Sequence, residues 1–107
     1  MTPEDTPDRL QMLLAFTKSH PSDPFAHYGL AMEYRNRGRL SDAAETFRAL
    51  MSAHPDYTPA YLHAGNTEVA LGRRAEARSI YQAGIAACAR KGDAHAQSEL
   101  EEALSNL

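Results

Sequence analysis

Apolar side chains recur at helical spacing along most of this chain, and Pro and Gly interrupt the pattern at regular intervals. The first helix is predicted over residues 7–19, with Thr6 as its N-cap and Pro7 in its first turn. Leu13 and Phe16 are expected on the inward face of this helix. No segment shows the two-residue alternation of a strand, so the pattern predicts an all-α chain.

Five further helices are predicted from turn and capping residues. A capping side chain followed by proline begins two of them, and glycines suited to left-handed backbone end three of them. The last helix has one apolar stripe and one acidic face, which is typical of a helix that closes a stack. The boundary residues are Asp23-Pro24, Gly38, Ser41, Thr58-Pro59, Gly72, Gly92 and Asp93.

The chain also repeats itself at a fixed interval of 34 residues. A fixed period of this length indicates stacked helix pairs, each of which is too thin to bury its own apolar face. Glycines inside the helices, at Gly29, Gly65 and Gly84, predict sites where two helices approach closely. The positions that recur after one period are Gly38 and Gly72, Arg39 and Arg73, Ala43 and Ala77, Phe47 and Tyr81, and His20-Pro21 and His54-Pro55.

These positions and their spacing resemble the tetratricopeptide repeat (TPR) family. The residues that carry the resemblance are His27, Leu30, Ala31, Tyr34, Ala43, Phe47 and Pro55 in the first copy, and Tyr61, Ala64, Gly65, Glu68, Ala77, Tyr81 and Ala89 in the second. His27, Glu68 and Ala89 depart from the Trp, Tyr and Pro of the family pattern. The resemblance implies a right-handed α-solenoid with a half-unit helix at 7–19, repeats at 24–57 and 58–91, and a capping helix at 93–107.

In this family the first helices of successive units line a concave groove that binds other proteins. The resemblance therefore implies a non-catalytic adaptor that binds a peptide or a helix of a partner protein. Phe25, Tyr28 and Met32 are equally consistent with core positions, because apolar periodicity is the same for core and contact surface. The implied groove residues are Phe25, Tyr28, Met32, Arg35, Asn36, Leu62, Asn66 and Val69.

Arginines concentrate near the turns within the repeats. One hypothesis is a docking strip for an acidic partner, because arginine binds carboxylates in bidentate fashion. The alternative is that these side chains offset the helix dipoles and remain solvated. The residues concerned are Arg37, Arg39, Arg73 and Arg74.

Composition narrows the class of protein further. The net charge of −3 gives no general attraction to nucleic acid or to an anionic membrane. The first residues lack the basic start and apolar run of a secretory signal, and no apolar stretch is long enough to span a bilayer. Cys88 is the single cysteine, which is typical of a reducing compartment. We therefore expect a soluble cytoplasmic protein.

No catalytic, metal or cofactor site is predicted. The five histidines lack metal-ligand spacing, and no glycine-rich phosphate loop follows a strand. The alternative function is structural, a homodimer that assembles through the terminal helices. Its candidate contacts are Leu10 and Leu14 in the first helix, or Leu104 and Leu107 in the last.

Overall fold

The computed structural model describes residues 8–107, which form six α-helices. Among these residues no strand is present, in agreement with the all-α prediction. The helices are α1 (Arg9–Ser19), α2 (Pro24–Asn36), α3 (Leu40–Ala53), α4 (Pro59–Ala70), α5 (Arg74–Lys91) and α6 (Ala94–Ser105). None of them combines the length and the apolar content that a membrane span requires.

The beginning of α1 differs from the prediction. Thr6 and Pro7 lie outside the described residues, and the helix begins at Arg9 with Asp8 as its N-cap. The Asp8 carboxylate accepts from the backbone N–H of Gln11 at 2.8 Å, and the Gln11 side chain accepts from the Asp8 N–H. This reciprocal pair satisfies two backbone donors that the first turn leaves free.

Prolines and glycines bound the helices as predicted, whereas the predicted cap at Ser41 is wrong and Thr58 stands at its N-cap position without a side-chain capping bond. Gly38, Gly72 and Gly92 take φ values of 75°, 78° and 71°, the left-handed region that glycine favours. Ser41 lies inside α3, because the helix begins at Leu40 with Arg39 as its N-cap residue. The Arg39 N–H donates to Tyr34 O at 2.9 Å. The Thr58 side chain accepts from no N–H of α4, and its hydroxyl donates to Asp93 at 3.2 Å.

Helices that follow one another in sequence pack against one another, as the 34-residue period predicts. In addition, α4 contacts both α2 and α6, whereas within residues 8–107 α3 contacts neither α1 nor α5. The helices therefore form two layers, an inner layer of α2, α4 and α6 and an outer layer of α1, α3 and α5.

Two buried clusters hold these layers together. Core 1 centres on Phe47 and Leu50 of α3, and core 2 centres on Tyr81 of α5 and Leu100 of α6. Half-buried Met51 and Ile80 pack against both clusters. The remaining members are Ala31, Ala43, Ala60 and Ala64 in core 1, and Tyr61, Ala77, Ala87 and Cys88 in core 2.

At two of the three glycines inside helices, the neighbouring helix lies too close for a residue with a side chain. A Cβ atom at Gly65 would lie 2.2 Å from the Tyr81 ring, and one at Gly84 would lie 2.6 Å from Tyr61 Cβ. The prediction of close contact is confirmed at these two positions. It is wrong at Gly29, where the nearest atom, Leu13 Cδ2, would lie at an ordinary 3.4 Å.

The inward face of α1 also differs from the prediction. Leu10 and Thr17 are buried, and Leu13 is half-buried against α2. Phe16, which was expected inward, is 41% exposed and stacks on His20 with ring centroids 4.4 Å apart. Because α1 packs on α2 alone among the described helices, only a narrow stripe of its surface is covered.

Candidate functional site

The inner layer carries two hollows on its surface. The Arg35 hollow, of about 310 Å³, lies between α2, α4, α5 and the end of α6. The Leu62 hollow, of about 170 Å³, lies between α2, α4 and α6. The first is lined by Arg35, Asn66, Val69, Tyr81, Ala103, Asn106 and Leu107. The second is lined by Tyr28, Thr58, Pro59, Leu62, His63, Ala96, Glu99 and Leu100.

A contact between Arg35 and His63 joins the two hollows. Arg35 Nη1 lies 3.3 Å from His63 Nδ1, across the junction of α2 and α4. Burial lowers the pKa of His63, the positive charge of Arg35 lowers it further, and Glu99 opposes the shift. The neutral imidazole therefore accepts a hydrogen bond from the guanidinium, which holds Arg35 at the border of the two hollows.

The polar wall of the Arg35 hollow is completed by Asn66 and Tyr81. The Tyr81 hydroxyl donates to Asn66 Oδ1 across α4 and α5. Burial raises the pKa of Tyr81, so the hydroxyl stays protonated and able to donate near neutral pH. With its oxygen engaged, the Asn66 amide has its N–H groups left to donate.

Five of the eight predicted groove residues line these hollows: Tyr28, Arg35, Leu62, Asn66 and Val69. Tyr28 has one side on core 1, and its ring centroid lies 6.1 Å from that of His63. Burial raises the pKa of the Tyr28 phenol, and the nearby Arg35 charge opposes this shift. Tyr28 therefore packs against core 1 and also lines the Leu62 hollow, so it has both of the roles that sequence analysis left open.

The other three predicted residues lie outside both hollows. Met32 packs against core 1, Asn36 is exposed near the end of α2, and Phe25 is 67% exposed at its beginning. The residues that sequence analysis missed include His63 and Tyr81. His63 directly follows the predicted Leu62, and a polar side chain beside a groove position was the only available signal.

Three of the four arginines of the hypothetical acidic strip have carboxylate partners within the chain. Arg37 Nε lies 2.9 Å from Glu33 Oε2, and Arg37 Nη1 lies 3.6 Å from Asp8. Two similar pairs join Arg39 to Asp42 at 2.8 Å and Arg73 to Glu68 at 3.4 Å. Arg74 is exposed at the first position of α5. The strip stays a prediction, with its charge partly neutralised from within.

The terminal leucines of the structural alternative are unequally accessible. Leu10 is buried against α2, whereas Leu14, one turn further along α1, is exposed. Leu104 and Leu107 are half-buried and pack against core 2. Self-association stays a prediction, and Leu10 is not available for it.

Cys88 is a buried thiol, and the histidines belong to no metal-binding group in the described part of the chain. No group of three or more His, Cys, Asp or Glu side chains in residues 8–107 is placed to hold a metal ion. Cys88 is fully buried, and burial raises the pKa of its thiol. The thiol therefore stays protonated and behaves as a small apolar side chain of core 2.

The chain is similar to known proteins over most of its length. A family model for tetratricopeptide repeats matches residues 34–98. The crystal structure of a tetratricopeptide repeat domain protein from Salinibacter ruber is 33% identical and superposes with a TM-score of 0.75, covering 78% of this chain and 93% of that chain. A solution NMR structure of a tetratricopeptide repeat domain protein from the same organism is 34% identical, with a TM-score of 0.76 and coverage of 80% and 87%.

A third similar structure comes from another bacterium. The solution structure of a protein from Bordetella parapertussis is 25% identical and covers 94% of this chain and 88% of that chain, with a TM-score of 0.79. No protein of curated function matches the sequence. The similarity to these structures therefore covers most of the chain, and none of them is named for a ligand.

Proposed function

This chain belongs to the tetratricopeptide repeat family, and from that premise we propose that it is a non-catalytic adaptor that binds a segment of a partner protein on its inner layer. The family is in general one of protein–protein interaction modules. The observation that carries the proposal is the placement of Arg35, held by His63 at the border of two hollows. A groove with one fixed charged donor and apolar recesses suits an extended peptide or a helix.

The chemistry of the hollows defines the partner segment. Val69, Ala103 and Leu107 supply apolar surface in the Arg35 hollow, and Arg35 and Asn66 supply hydrogen-bond donors. A segment with an apolar side chain and an adjacent carboxylate or carbonyl would therefore complement the hollow. Because Arg35 is already held in place, little side-chain freedom is lost when the segment binds.

The proposal is tested by binding measurements on peptides selected from a random library against the folded protein. We expect Arg35→Ala to weaken the selected peptides at least about tenfold, as for the central residue of an interface. Glu45→Ala is the matched control, because Glu45 is exposed on α3 in the outer layer. Equal affinities of the wild type and Arg35→Ala would exclude the inner layer as the binding surface.

A further inference from the structure

Among residues 8–107, no helix covers the large apolar side chains on the outer surface of α1. Met12 is 61% exposed and Phe16 is 41% exposed, and together with Arg9 and Leu13 they line a shallow hollow of about 430 Å³. We define these four residues as the α1 outer face. Within residues 8–107 the helix contacts α2 alone. Leu10 and Thr17 are buried there, Leu13 lies partly against α2, and Arg9 Nε lies 2.9 Å from Glu33 Oε1.

The 34-residue period shows what covers the same face elsewhere in the molecule. Leu13 corresponds to Phe47 in α3 and to Tyr81 in α5, and both of these are buried. Phe47 shares core 1 with Ala31 of α2, and the Tyr81 ring lies against Gly65 of α4. In each case the preceding helix contributes a small residue to the surroundings of a large ring.

Phe16, a second large side chain of this face, also corresponds by the 34-residue period to buried positions in α3 and α5. Phe16 corresponds to Leu50 in α3 and to Gly84 in α5, and both are buried. The outer face of α1 is therefore the equivalent of a surface that α3 and α5 bury against α2 and α4. It continues an interface that already occurs twice in the chain.

We propose that the α1 outer face binds an amphipathic helix of another protein, one that carries Ala or Gly where it crosses α1. The bound helix would extend the stack by repeating the α4–α5 contact, small residue against large. This surface is separate from the inner layer, so the inference goes beyond the function proposed above and does not depend on it.

A second copy of this chain matches the face poorly. The small residues of α2 and α4 are already covered by α3 and α5. The exposed side of α6 is acidic, with Glu99, Glu101 and Glu102. Pairing of α1 with another α1 would place large side chains against large ones, so a helix from a different polypeptide fits the surface better.

The inference is tested with a helix-constrained peptide that has the sequence of residues 58–72 of this chain, followed by methyl NMR of the methionines. We expect the Met12 methyl resonance to move and saturate as the peptide is added, while that of half-buried Met51 stays in place. A peptide carrying Gly65→Leu should bind at least about tenfold more weakly, because a large side chain cannot approach Leu13.

Two protein variants localise the effect. Phe16→Ser should abolish the Met12 response without unfolding the chain, since Phe16 is exposed. Val69→Ser, in the inner layer, should leave the response unchanged and so separates this surface from the groove.

Three results would overturn the inference. Equal binding of the Gly65→Leu peptide would reveal a general apolar patch without helix specificity. A Met12 shift that depends on protein concentration alone would identify a second copy as the occupant. A Met12 shift on removal of residues 1–7 would identify the chain's own first residues as the occupant.

Discussion

Corresponding arginines in the two repeats interact with chemically different partners. The Arg39 guanidinium lies over the Tyr34 ring, 4.8 Å from its centroid, as in a cation–π contact. One period later, Arg73 faces the carboxylate of Glu68, which also accepts from Arg48 at 2.8 Å. Glu68 departs from the family pattern and is only 1% exposed. Arg73 and Arg48 supply the positive charge that a buried carboxylate requires.

This compensation was only partly visible in the sequence. Glu68 was identified as a departure, and the Arg39–Arg73 pair was identified as part of the repeat. The role of Arg48 was not predictable, because it depends on how α3 is rotated against α4. Sequence periodicity gives the face of a helix, whereas a hydrogen bond between two helices also needs their relative rotation.

At the same scale, His63 makes the stability of the fold depend on pH. Its pKa in the folded chain is lowered from the ordinary 6.5, so the unfolded chain binds more protons between these two values. The stabilisation is therefore complete above pH 6.5 and is lost as the pH falls towards the lowered pKa. We expect His63→Gln to reduce the fall in the urea midpoint between about pH 7.5 and about pH 5.

The control for this prediction is His95→Gln, because the His95 side chain is 90% exposed and lies 3.4 Å from Glu99 on its own helix. Carboxylate protonation lowers stability in all three proteins, so only the difference between variants is informative. A pH dependence in His63→Gln equal to that of the wild type would contradict the assignment of a lowered pKa.

At the scale of the helix, boundaries were predictable where local chemistry decides them. Proline at the first helical position and glycine in left-handed backbone depend on two or three neighbouring residues, and these predictions held at Pro24 and Gly72. Phe16 failed because its burial depends on which helices are present around α1. Phe25 and Asn36 lie outside the hollows because they stand at the two ends of α2, beyond its contact with α4.

Two helical glycines allow a matched test of helix approach. Gly65→Ala should destabilise the fold by about 2 kcal/mol, because the clash with Tyr81 outweighs the gain in helix propensity. Gly29→Ala should instead stabilise it by about 0.5–1 kcal/mol, since its Cβ meets Leu13 only at an ordinary contact distance. Thermal and urea unfolding of both variants measure the two effects, and effects of the same sign would contradict this interpretation.

At the scale of the whole molecule, the two cores meet at α4, which contributes Ala60 and Ala64 to core 1 and Tyr61 to core 2. Half-buried Met51 and Ile80 pack against both clusters. In a stack whose units contact only their neighbours, stability is approximately a sum of local terms and terms at the junctions. The two halves of the chain are therefore expected to respond unequally to a change in one core.

Leu100→Ala tests this unequal response. Leu100 is buried in core 2 at the end of the stack, so its truncation should cost about 3 kcal/mol. Hydrogen exchange should then show a larger loss of protection in α5 and α6 than in α2 and α3. Leu14→Ala is the control, with an effect within about 0.5 kcal/mol, because Leu14 is exposed. A uniform loss of protection would show that the molecule unfolds as one unit.

The exposed side of α6 is acidic, whereas the α1 outer face is apolar. The two ends of the stack therefore differ in how readily a further repeat could pack against them. A tandem duplication of 34 residues placed before α1 would add a helix that covers Leu13 and Phe16 and so would gain buried surface at once. The same duplication placed after α6 would cover Glu101 and Glu102, which would then need basic partners of the kind that Arg48 and Arg73 provide for Glu68. Gene duplication and protein engineering should therefore lengthen this array from its first helix and conserve its last.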